Sequence, residues 1–204
     1  VDKKTTQPFF QPIFGEAWDH LPTALKRHYA NRMHCTDTVI VDGHLNIEAF
    51  GFGKILKLLF RLTGAMVPYE GRHIPTTVQF STVENTNAFY FNRTFYFPGK
   101  KPYRFYSTMT SEGGNKVNET MGWGLVWRMY YLWDGAKVIL QHRGYAVKIL
   151  GYLISLPLHW LIGTGHAEET AISDDAFAMM VEIRHPWWGK LFGYHGTFTL
   201  VKDA

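Results

Sequence analysis

From Ile74 to Val201 the chain is an almost unbroken succession of strand-length segments, and the breaks between them are too short to hold helices. The segments are 76–84, 88–97, 103–111, 116–123, 125–133, 137–147, 152–173, 176–185 and 191–201. They are punctuated by turn formers such as Asn85-Thr86-Asn87, Glu112-Gly113-Gly114-Asn115, Asp134-Gly135 and Ser173-Asp174-Asp175. Parallel neighbours need a crossover of about a dozen residues or more, so these strands must pair antiparallel. Closure removes exposed edges, which predicts a mainly β fold: an antiparallel up-and-down β-barrel or strongly curved half-barrel of about nine strands. A helix-grip cup is the alternative, but it calls for a long C-terminal helix, and this chain ends in the strand-like Gly196 to Val201.

Before Ile74 the pattern changes. Leu21 to Tyr29 carries helical spacing, with Asp19 as a candidate cap and Pro22 in the first turn. Thr38 to Ile47 is β-branched on both sides of Asp42-Gly43, a hairpin or bulged-strand signal. Gly51 to Ala65 returns to helical period. Ile55, Leu58, Leu59 and Leu62 share one side and Lys54, Lys57 and Arg61 the other. Such a helix either packs on the barrel with its charges in water or forms a lid drawn to an anionic membrane surface or an acidic ligand. One or two short N-terminal helices are therefore expected.

A chain of 204 residues suits one core, and no linker divides it, so residues 1–204 are read as a single domain. The start at Val1 without Met is read as a segment of a larger parent protein, with no signal-peptide pattern. Cys35 is alone, so no intrachain disulfide framework exists and a cytoplasmic setting is expected. Net charge is +4 without a Lys/Arg-rich tract, which argues against nucleic acid as partner. The most apolar stretch, Ile149 to Gly163, is interrupted by Pro157 and His159 and falls short of the roughly 20 residues that cross a bilayer as a helix. It reads as buried strand.

Chemistry enters at Ala88 to Phe97. Alternation puts Phe89, Phe91, Phe95 and Phe97 on one face, and Arg93 shares it. An arginine keeps its charge, so a polar partner must lie opposite it inside the fold, as in a binding cavity or active site. The same test applied elsewhere adds Glu119, on the face of Val117, Met121 and Trp123; His185, at the end of the row from Phe177; and Tyr194, aligned with Phe192 and Phe198. Arg93 and Glu119 are expected to pair. Phe89, Phe91, Arg93, Phe95, Glu119 and Tyr194 are the candidate ligand-binding residues. In an enzyme, Glu119 or His185 would act as base and Tyr194 as acid.

No metal-binding spacing is present, His166 and Glu168 notwithstanding, and Gly51-Phe52-Gly53-Lys54 is not a phosphate loop, so no metal or cofactor is expected. The leading function is binding of a hydrophobic small molecule, such as a fatty acid, polyketide or isoprenoid with an acidic or carbonyl end. The alternatives are a cofactor-free isomerase, cyclase or hydratase, and an accessory domain that docks to a parent chain or partner.

Several local patterns recur together: Phe14-Gly15, Trp18 to Pro22 with Leu25, Pro75, Asn92 to Phe95, Glu119 with Gly122, and His185 to Gly189 followed by Tyr194 and Gly196. With these the chain resembles, from about Phe9 to Lys202, a bacterial family of domains of unknown function sometimes found C-terminal in saccharopine-dehydrogenase-like proteins. The resemblance implies a bacterial origin and one shared framework, and no activity.

Overall fold

Ten antiparallel strands close on themselves. The structure, a computed structural model, describes residues 7–55 and 66–201. Leu58, Leu59, Leu62, Lys57 and Arg61 lie outside the described residues. The strands are β1 (Thr38–Ala49), β2 (Gly71–Thr82), β3 (Phe89–Phe95), β4 (Tyr103–Gly113), β5 (Lys116–Thr120), β6 (Leu125–Trp133), β7 (Val138–Ile149), β8 (Tyr152–Leu156), β9 (Thr164–Ala171), β10 (Ala176–His185) and β11 (Gly189–Leu200). Neighbours pair in order round the ring, with β7 meeting β9 and β11 returning to β1; β8 stands outside. The barrel is therefore closed, and the half-barrel is excluded. The described residues form eleven strands against the expected nine, and two local readings account for the difference.

The first is Asp42-Gly43, which lies in the middle of one continuous strand. Gly43 is opposite Phe198 on β11 and Thr76 on β2, and a Cβ there would sit 2.7 Å from the Phe198 ring and closer still to the Thr197 carbonyl. The glycine gives room for close strand approach; it makes no turn. The second is 152–173, which divides into β8, the short helix α3 (His159–Ile162) and β9. Pro157 precedes the helix, and Gly163, at φ +80°, reverses the chain after it. Along β7, Val138 to Gln141 pair with β9 and Tyr145 to Ile149 pair with β8. β7 and β8 thus form a hairpin that runs on past the barrel wall, and from Lys148 to Ser155 it is exposed where a buried strand was expected from Ile149 onward.

Phe9 to His28 plug the opposite end. Helices α1 (Gln11–Phe14) and α2 (Thr23–His28) flank a 3-10 turn. Phe9 and Phe10 pack on Phe89 at the start of β3, Phe10 and Phe14 on Tyr131 near the end of β6. Asn31 ties the plug down by donating to the backbone carbonyls of Phe80 and Asp37. Asp19 does not cap α2; it faces Lys26 at 3.4 Å on the surface. No helix among the described residues is long and apolar enough to cross a membrane.

Candidate functional site

On β3 the inward positions are Phe89, Phe91, Arg93 and Phe95, as alternation requires. Arg93 reaches across β4 to β5. Its guanidinium donates to Ser107 Oγ at 2.8 Å and to Glu119 Oε1 at 2.9 Å, and Ser107 donates to the same carboxylate oxygen at 2.5 Å. Three adjacent strands thus close a ring of charge-assisted hydrogen bonds in the interior. The guanidinium lies 4.6 Å from the Phe91 ring centroid and 5.0 Å from that of Phe105. Burial by itself would lower the Arg93 pKa; Glu119, then Tyr194 and Tyr131, outweigh it and hold the pKa above the ordinary value.

This ring stands between two chambers. The outer one, of about 80 Å³, is walled by Met66, Val67, Phe105, Leu125, Ile162 and Phe192 among others, almost all apolar. The inner one, of about 50 Å³, reaches the N-terminal plug and includes His28, Tyr131 and Glu169. Arg93, Glu119, Trp127, Val181 and Tyr194 line both, so the chambers meet at the ion pair. Gly165, on the outer chamber's wall, lets the Trp127 indole lie close to β9: a Cβ there would come within 2.8 Å of it.

The inner chamber holds a second polar cluster. Tyr29, at the end of α2, donates to Glu169 Oε2 on β9, and His28 Nε2 lies 3.4 Å from the same oxygen. Burial pushes the Glu169 carboxyl up to about 7, against the opposing effects of the Tyr29 bond and the Arg93 charge. Burial, then Arg93, pushes His28 down to about 3, so its ring is neutral at pH 7 and neither nitrogen has a hydrogen-bond partner among the described residues. Burial also raises the Tyr194 hydroxyl to about 12.

Arg93, Glu119 and Tyr194 are brought together as expected, with Phe91 and Phe95 on the inner wall. Three other readings are corrected. Phe89 packs among Phe9, Phe10 and Phe80 and does not itself line either chamber. Trp123 turns out to solvent, because the chain leaves β5 after Thr120 and Trp123 has a positive φ. His185 is buried at the β10–β11 turn, its register displaced by a bulge after Ile183. Its Nδ1 accepts from the Trp187 N–H at 3.2 Å and its Nε2 meets the Trp160 carbonyl at 3.0 Å. A carbonyl only accepts, so Nε2 carries the proton and both ring nitrogens are committed to the backbone.

Glu169, His28, Tyr29 and Ser107 escaped the sequence reading. A signal existed for Glu169. His166 and Glu168 drew attention on β9, but they pair with each other and with Lys137 on the outer face. The other row, Gly165, Ala167 and Glu169, is small-small-acid and buried, the pattern of a wall that leaves space beside a polar group.

No curated protein matches the chain. Among solved structures it is similar to Rv2717c from M. tuberculosis, with 10% identity and a TM-score of 0.46, over 80% of this chain and 91% of that one. The family described as "Domain of unknown function (DUF4166)" matches residues 21–198, and the chain belongs to that family.

Proposed function

We propose that the barrel binds a small amphiphile, with its apolar part against the chamber walls and its polar end at the Arg93–Ser107–Glu119 ring. The observation that carries this reading is the placement of a buried, hydrogen-bonded ion pair where two small chambers join. Apolar walls with a few fixed polar groups are the usual composition of a small-molecule site. The charge balance narrows the ligand. Glu119 already neutralises Arg93, and Glu169 adds negative charge above pH 7, so an acidic end would enter a site with no net positive charge to receive it. A carbonyl or hydroxyl end, on a short fatty-acyl, polyketide or isoprenoid skeleton, meets donors and acceptors without that cost. The family resemblance extends the proposal to a bacterial protein beside or fused to a saccharopine-dehydrogenase-like protein, and the lone Cys35 to a cytoplasmic setting.

A second reading, a cofactor-free isomerase, cyclase or hydratase, rests on Glu169. A carboxyl pushed up to about 7 beside a tyrosine hydroxyl is suited to moving protons near neutral pH, a role that Glu119, locked by Arg93, and His185, outside the chambers, do not fit. In that reading Tyr194 remains the acid.

Native mass spectrometry of protein purified from cells tests binding. A neutral amphiphile should co-purify, and Ala167→Leu, which fills the inner chamber, should release it while thermal unfolding stays cooperative. A protein that takes up nothing, even after incubation with total lipid extract, would overturn the proposal.

A further inference from the structure

The barrel end remote from the N-terminal plug carries an apolar surface that the cavity does not explain. Leu150, at the tip of the β7–β8 hairpin, is 94% exposed, with Trp123 at 80%, Tyr152 at 76% and Trp187 at 71%. These residues stand at one barrel end in two groups, Trp123 with the hairpin and Trp187 with Trp160 and Trp188. Trp160 on α3 lies 6.2 Å from Trp187, and Trp187 lies 6.5 Å from Trp188. Gly124, next to Trp123, packs on the backbone of Lys148 near the tip of the hairpin. Single exposed apolar residues are ordinary, but two groups of exposed tryptophans and aliphatics at one barrel end mark a binding surface.

Two features identify what it binds. Tyr152, Leu153 and Ile154 are consecutive on a strand and all exposed, so both faces of the hairpin are apolar and open. A protein partner typically covers one face of such an element, whereas a lipid layer surrounds it. The charge is also one-sided. The three segments that build these groups, residues 121–127, 147–163 and 185–192, contain Lys148 and Lys190 and no Asp or Glu. Tryptophan with lysine is the pairing that settles at the headgroup level of a bilayer, where water still reaches the free edge of β8.

We propose that this end of the barrel docks on an anionic membrane, the β7–β8 hairpin and the Trp160–Trp187 pair entering the headgroup layer and Lys148 and Lys190 contacting lipid phosphates. The proposal rests on the surface alone and stands whether or not the chambers bind an amphiphile. It also brings the outer chamber, which Ile162 of α3 helps to wall, to the lipid-facing end.

Vesicle co-sedimentation of the full chain tests it, using phosphatidylcholine vesicles with and without an equal part of phosphatidylglycerol. The protein should bind the mixed vesicles, with a blue shift of tryptophan emission. The Leu150→Asp/Trp160→Ser variant should lose about tenfold or more in apparent affinity. Lys148→Glu with Lys190→Glu should abolish the preference for the anionic mixture. All four side-chain positions are on or near the surface, and cooperative unfolding of each variant verifies the fold. Failure to bind either vesicle, or hairpin variants that bind like the parent, would overturn the proposal. So would a stable dimer in lipid-free buffer that Leu150→Asp/Trp160→Ser dissolves, since the surface would then be a protein interface.

Discussion

Arg93→Met is expected to destabilise the barrel by about 3–5 kcal/mol, the cost of leaving one member of a buried ion pair uncompensated. Removing the guanidinium strips Glu119 of its charge partner and leaves Ser107 as the sole remaining donor of the ring. A domain of this size has roughly 5–15 kcal/mol of stability in all, so the single variant should unfold at much lower urea concentration. The double variant Arg93→Met/Glu119→Gln should recover most of the loss. Its amide oxygen can still accept from Ser107, and no buried charge remains. Urea unfolding at pH 7 measures both. A single variant as stable as the parent would show that the ion pair does not hold these strands together, and a double variant no better than the single would show that the loss comes from packing.

Glu169→Gln should have the opposite sign. The carboxyl titrates near 7 in the folded protein and near 4.5 in the unfolded chain, so between those values the unfolded state gives up its proton first and ionisation favours unfolding. Its contribution to stability therefore falls as pH rises from 4.5 to 7, reaching a penalty of about 3 kcal/mol above 7. His28 behaves in the reverse sense. Its pKa is about 3 when folded against 6.5 unfolded, so stability falls as pH drops from 6.5 toward 3. Between 4.5 and 6.5 the two slopes cancel. Thermal unfolding of the parent should change little across that window from this pair, whereas Glu169→Gln should gain stability with rising pH there and exceed the parent above pH 7. Tyr29 can still donate to the amide oxygen of the variant. A variant less stable than the parent at pH 8 would contradict the buried, proton-retaining carboxyl.

The polar interior was partly legible because β alternation assigns faces. Arg93, Glu119 and Tyr194 each sit in a row of apolar residues with period two, and that pattern alone sends them inward. Alternation says nothing about depth along the barrel or about neighbours across closure. That is why Phe89, correctly inward, proved to be at the plugged end, and why the approach of Tyr29 to Glu169, which joins the N-terminal plug to β9, had no local signature. Glycines and apolar runs misled for a related reason. Gly43 serves contact with Phe198 on a strand over 150 residues later in the chain, and the Ile149–Gly163 run, apolar as a core strand would be, is mostly exposed, with Ile162 in the core. Where Trp123 and His185 left their expected rows, a positive φ and a bulge had shifted the count by breaking the strand.

The central claim is that the paired Arg93–Glu119 ring receives a neutral polar end. Calorimetric titration at pH 8 with a methyl ketone and the carboxylate of equal chain length, about five carbon atoms to suit chambers of about 80 and 50 Å³, is the deciding measurement. The ketone should bind at least about tenfold more tightly than the acid, and Arg93→Met/Glu119→Gln should remove the difference. Equal or tighter binding of the carboxylate would contradict the claim.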